Sequence, residues 1–190
     1  FGEAWQIYVY RLKDGARASL GQGRLTAASL IKLYIMGAVY SSYDNIAAAN
    51  GQEQVDKLLN AMITVSDNDS ANTLVGMLGN GDNAAGQEAV NTYCKNNGYT
   101  DTSMGRMLLE KASANENYTS ARDCSVFLKN IYENKLEHSE DMLNLLKQQT
   151  RTEKIPKGIP SGVETANKTG ELDHVENDAA IVFDGENPYI

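Results

Sequence analysis

The sequence predicts an α+β domain in which the two ends of the chain build one antiparallel sheet around an inserted helical lobe. Three observations carry this. Runs rich in aromatic and β-branched residues stand at both ends, Trp5-Gln6-Ile7-Tyr8-Val9-Tyr10 and Ala179-Ala180-Ile181-Val182-Phe183. Between them, apolar residues recur at helical spacing in one segment after another. At 190 residues the chain can bury a substantial core, as one domain or as two lobes sharing it. The expected division is a single domain over residues 1–190, with a sheet lobe from about 1–28 and 151–190 and a helical lobe from about 29–150.

The first strand, residues 5–10, runs into the turn Lys13-Asp14-Gly15, and a short second strand returns over residues 16–20. The stretch Ser29-Leu30-Ile31-Lys32-Leu33-Tyr34-Ile35-Met36-Gly37-Ala38-Val39-Tyr40 then reads as one buried helix, apolar on every face and charged only at Lys32. Asn50-Gly51 breaks the chain, after which Val55, Leu58, Leu59, Met62 and Ile63 fall at helical spacing and lead into Ser66-Asp67-Asn68. Helices follow over 71–78, closed by Gly79, and 84–97, closed by Gly98. Residues 98–106 read as an irregular link and 108–117 as a mostly polar loop. Thr119 or Ser120 caps a helix carrying Cys124, Phe127, Leu128 and Ile131, with Asp123 as a helix-start charge. Ser139 caps another, with Glu140 and Asp141 in its first turn and Met142, Leu145 and Leu146 facing inward. The proline-bearing segment 155–162 ends the helical region. Residues 165–168 and 179–183 are strands, the latter followed by the turn Asp184-Gly185.

A net charge of −8 and a pI near 4.8 argue against nucleic acid or an anionic membrane as a partner. No apolar stretch reaches membrane-spanning length. The sequence opens inside a strand pattern, and no signal peptide is recognisable in it. Cys94 and Cys124 are not spaced as metal ligands, and His138 and His174 are expected at the surface, so neither a metal nor a cofactor is expected. The cysteines are either two buried thiols or one disulfide. A monomer is the expected state.

Ser29 and Lys32 lie three residues apart, on one helical face. A buried ammonium is costly, and burial lowers its pKa toward the point where the free amine acts as a base. A serine at a helix start also has an unpartnered backbone N–H, ready for an oxyanion. The bland alternative is an N-capping serine and a snorkelling lysine. Ser-x-x-Lys alone is weak, with roughly 0.7 matches expected by chance at this composition. Ser66-Asp67-Asn68 and Lys168-Thr169-Gly170, each expected only about 0.05 to 0.07 times, change that weighing.

With these three motifs in this order the chain resembles the class A β-lactamases and penicillin-binding serine hydrolases. The likeness extends to Ala28-Ser29-Leu30-Ile31-Lys32-Leu33, Met62-Ile63-Thr64-Val65-Ser66-Asp67-Asn68, Ala166-Asn167-Lys168-Thr169-Gly170 and Asn177-Asp178-Ala179-Ala180, and so covers nearly the whole chain. The resemblance implies an α/β/α sandwich and an acyl-enzyme mechanism on β-lactams. The alternatives are a D-Ala-D-Ala peptidase or transpeptidase with slow deacylation, or a peptidoglycan- or β-lactam-binding sensor. It implies Ser29 as nucleophile, Lys32 as base or proton relay, Ser66 as a shuttle to the departing nitrogen, and Lys168 with Thr169 as the site for a substrate carboxylate. Asn68 would hold the acyl side-chain amide, and Asp67 would stabilise its loop. Gly170 would let the strand approach the ligand, and the N–H of Glu171 would complete the oxyanion hole. A secreted or extracytoplasmic bacterial location goes with this resemblance.

Departures from the family pattern are equally specific. The usual Glu-x-x-Leu-Asn run is lacking over residues 104–121. Glu110 is the nearest candidate for activating the deacylating water, Glu116 a weaker one, and both read as well as solvated loop charges. The segment between Lys32 and Ser66 is short, the family's flanking terminal helices have no counterpart in this sequence, and Glu171 places a carboxylate beside the expected oxyanion hole.

Overall fold

A computed structural model describes residues 4–111 and 115–190. Strand β1 (Ile7–Tyr10) pairs antiparallel with β2 (Arg17–Leu20), and β5 (Glu164–Leu172) pairs antiparallel with β6 (Val175–Phe183) over nine register positions. A two-residue pair, β3 (Leu25–Thr26) with β4 (Tyr118–Thr119), ties the start of the helical region to its middle. The expected single sheet is realised in a looser form. The two terminal hairpins are separate ladders joined through Tyr189, which bridges Val182 of β6 on one side and Arg11, next to β1, on the other. Elsewhere a cavity of about 450 Å³ lies between β1 and β6, lined by Ile7, Val9, Ala180 and Val182 among others, so direct strand pairing does not close the gap.

Between the hairpins run α1 (Ile31–Tyr40), α2 (Tyr43–Asn50), α3 (Gln52–Thr64), α4 (Asn68–Leu78), α5 (Asn83–Asn96), α6 (Ala121–Tyr132) and α7 (Ser139–Lys147). All ten residues of α1 are buried, as a helix apolar on every face requires, and it packs against α3, α4 and α5. Tyr34 from this helix meets Tyr99 and Phe127 ring to ring in the middle of the core. Helices α4 and α5 approach closely at Gly86, where a Cβ would collide with the Val75 carbonyl oxygen. Asp82 and Ser120 cap α5 and α6 with their side chains. Residues 112–114 of the expected polar loop lie outside the described residues.

Three readings change. Helix α2 was not expected, because Ile46 is its one buried residue and its pattern is short. Asp123 is more than a helix-start charge: it is fully buried and accepts hydrogen bonds from Asp101 N–H (2.9 Å) and Thr102 Oγ1 (2.9 Å), clamping the link before β4 to α6. Ser139 does not cap α7, whose N-cap is His138 in the left-handed region at φ 58°. Cys94 and Cys124 are free and buried, which decides between the two alternatives, and burial raises both thiol pKa values.

Candidate active site

Ser29 lies in a 3-10 turn, Ala28–Leu30, entered through Ala28 at φ 47° and leading directly into α1. It is therefore not an N-cap, and its hydroxyl makes no capping bond. Left-handed backbone at an alanine costs about 1–2 kcal/mol and persists only where surrounding contacts hold it. Here Asn177 of β6 donates from Nδ2 to the carbonyls of Thr26 (3.0 Å) and Ala27 (3.1 Å). Gly170, opposite Asn177 in the β5–β6 register, lies so close that a Cβ on it would stand 3.0 Å from Ser29 N and 2.9 Å from Ala27 O. The strand backbone is thus pressed against the backbone of the serine turn.

Lys32 does not snorkel, being wholly buried one turn into α1. Its Nζ lies 3.3 Å from Ser29 Oγ, 2.6 Å from Ser66 O, 3.1 Å from Ser66 Oγ and 2.7 Å from Asn68 Oδ1. An ammonium has three protons for these four acceptors. Burial lowers its pKa to about 8; Arg151 pushes the same way, and Asp67 opposes both.

Ser66 stands between α3 and α4 at φ 63°, and Asp67 next to it caps α4 by accepting from Ser70 N–H at 2.7 Å. The loop role expected of Asp67 is thus a helix cap. Lys168, also fully buried, reaches Ser66 Oγ at 2.9 Å from the β5 side and donates to Thr169 O at 2.8 Å. Burial, then the charges of Lys32 and Arg151, lower its pKa to about 7. With an amine donating to each lone pair, the Ser66 hydroxyl proton remains free to be given to a third group. Asn68 presents its oxygen to Lys32, which leaves its Nδ2 hydrogens for another acceptor.

The structure therefore brings Ser29, Lys32, Ser66, Asn68, Lys168 and Gly170 together, with Thr169 buried beside them. Glu110 is placed otherwise. It is exposed in a turn, where its carboxylate accepts from Met107 N–H at 3.2 Å and its carbonyl accepts from Arg106 at 2.8 Å. None of its hydrogen bonds among the described residues goes to Ser29, Lys32 or Ser66. Glu116 is mostly buried and held by Arg106 in a two-pronged ion pair at 2.8 and 3.0 Å. Asn72 from α4 holds the same loop, bonding Leu108 through both its N–H and its carbonyl at 2.9 Å.

Sequence reasoning missed Arg151 and Lys154. Both ion-pair with Glu171, at 3.7 and 3.1 Å, and Lys154 also contacts Glu176, the residue opposite Glu171 in the hairpin. Asn167 holds this segment in place, donating to Arg151 O at 3.1 Å. The signal available was two cations in the segment that delivers the chain to β5. It could not be read without knowing that this segment folds back along the hairpin.

The sequence profile of the β-lactamase enzyme family matches residues 45–190. By sequence, no curated protein matches the chain. Solved structures are similar in fold at low identity. The β-lactamase from Sphaerobacter thermophilus superposes with a TM-score of 0.80 at 22% identity, covering 97% of this chain and 79% of that one. PBP-A gives 0.83 at 23% identity, covering 97% and 77%, and a point mutant of PBP-A has been determined as an acyl-enzyme complex with penicillin G. The class A β-lactamase from Mycobacterium abscessus gives 0.83 at 20% identity, covering 100% and 83%.

Proposed function

The chain belongs to the β-lactamase enzyme family, and on that premise we propose that it is a serine hydrolase that opens β-lactams by acylating Ser29. The observation that carries this reading is the contact of one buried, pKa-lowered amine with two serine hydroxyls, Lys32 Nζ with Ser29 Oγ and Ser66 Oγ. Lys32 as the free amine takes the Ser29 proton while Oγ forms a bond to the lactam carbonyl carbon. The electron pair moves onto the carbonyl oxygen, held by Ser29 N–H and the N–H of Glu171. Collapse of this intermediate breaks the C–N bond, and Ser66 hands its proton to the departing nitrogen and regains one from the lysine pair. Lys168 and Thr169 hold the substrate carboxylate, and Asn68 the acyl side-chain amide.

A second reading is favoured by the placement of Glu110. With its carboxylate engaged by Met107 N–H in an exposed turn, no carboxylate among the described residues hydrogen-bonds to the reacting groups to activate a water. Such a site acylates readily and releases slowly, as a peptidase or transpeptidase of the penicillin-binding kind acting on peptidoglycan peptides. Intact-mass spectrometry with a penicillin, followed over time, tests both. Addition of one penicillin mass to the chain, absent in Ser29→Ala, supports the nucleophile. Rapid loss of the adduct favours β-lactam hydrolysis, and a persistent adduct the peptidase reading. Labelling that survives in Ser29→Ala refutes both.

A further inference from the structure

The lip of the cleft beyond Gly170 holds four charges that the acylation chemistry does not use. Side chains alternate along β5, so Thr169 and Glu171 share a face about 7 Å apart, opposite the face of Lys168 and Gly170. Glu171 is half-exposed and bound by Lys154 and Arg151. Across the hairpin, Glu176 brings a second carboxylate to Lys154. Two cations and two carboxylates thus balance at this point. The charge of Arg151 also contributes to lowering the pKa of both Lys32 and Lys168. A carboxylate held by Lys168 and Thr169 would stand on the Glu171 side of the strand, and the cations nearest Glu171, Arg151 and Lys154, are already engaged by it.

We propose that Glu171 is a specificity-determining residue that disfavours acyl donors with a free carboxylate on the leaving side and favours those in which that position is an amide. The substrate class this describes is a peptide whose chain continues as an amide beyond the scissile bond, which sides with the peptidase reading, because a penicillin carries its free carboxylate on the leaving side. The inference rests on Ser29 being the acylated residue. A third carboxylate at this lip meets two cations already engaged, plus the like charge of Glu171, whereas an amide meets neither penalty.

Two thioester donors with the same acyl group test this, one with a thioglycolate leaving group and the other with its carboxamide. Thiol release gives the second-order acylation rate constant for each, and the carboxylate-to-carboxamide ratio is the readout. Glu171→Gln should raise that ratio on the order of tenfold. Lys154→Met, which strips Glu171 of its nearest cation, should lower it. An unchanged ratio in a folded Glu171→Gln protein overturns the proposal, as does a ratio that rises or stays level in Lys154→Met. The second variant keeps the test decisive should the first not fold. If neither donor acylates the unaltered protein, it is the nucleophile assignment that fails.

Discussion

The lowered pKa of Lys32 makes the pH dependence of acylation a direct probe of its role. With a pKa of about 8, its neutral fraction is roughly 1% at pH 6, roughly 10% at pH 7 and roughly 90% at pH 9. If the free amine takes the Ser29 proton, acylation should rise about tenfold per pH unit below pH 7 and level off above about 8, nearly 100-fold overall. The donor matters, because Lys168 loses its proton near pH 7 and with it the charge that an anionic substrate feels. The carboxamide thioester described above avoids that complication. Lys32 and Lys168 also interact, so the measured limb belongs to the pair and should fall between about 7 and 8. Arg151→Gln supplies the perturbation: it removes a positive charge that lowers both amines, and should move the limb to higher pH. The assay is stopped-flow thiol release at constant ionic strength from pH 6 to 9. A rate flat across that range would refute the free-amine mechanism, and a limb that stays put or moves down in Arg151→Gln would refute the influence of Arg151 on the two amines.

Gly170→Ala would put a Cβ 3.0 Å from Ser29 N, against backbone that cannot swing aside, and should slow acylation at least about tenfold and destabilise by about 1–3 kcal/mol, measured by labelling rate and urea unfolding. Asn72→Ala removes both bonds to Leu108 and should cost about 1–3 kcal/mol in the same unfolding experiment, while an unchanged midpoint would show that the loop is held elsewhere. Stability should rise with pH from about 7 to about 9. Both lysines have folded pKa values below the ordinary 10.5, so their penalty on the native state, full below about pH 7, is relieved as pH rises, while above about pH 9 the two buried thiols, whose pKa values are raised, oppose the gain. For Lys32 the penalty reaches roughly 3 kcal/mol, and Lys32→Met should flatten the pH dependence of denaturant midpoints compared at pH 7 and 9.5.

By itself the sequence determined the mixed helix-and-strand class, the burial of α1 and the positions of the three motifs. These are local matters: a helix with apolar residues on every face has nowhere to go but the core, and a lysine in it must find buried acceptors. It also left signals unread. Helix α2 buries too little to show a period, and the two terminal hairpins are joined through the Tyr189 bridges, which no alternation of residues could reveal. Only the tertiary structure decided that Ser66 sits between two amines from elements 34 and 102 residues away, that Asn177 and Gly170 hold the serine turn, and that Arg151 and Lys154 fold back onto Glu171. It likewise set Glu110 in an exposed turn and left the cysteines apart. The reason is physical: propensity and periodicity act over a few residues, whereas the field at a buried amine is summed over whatever the fold brings near it.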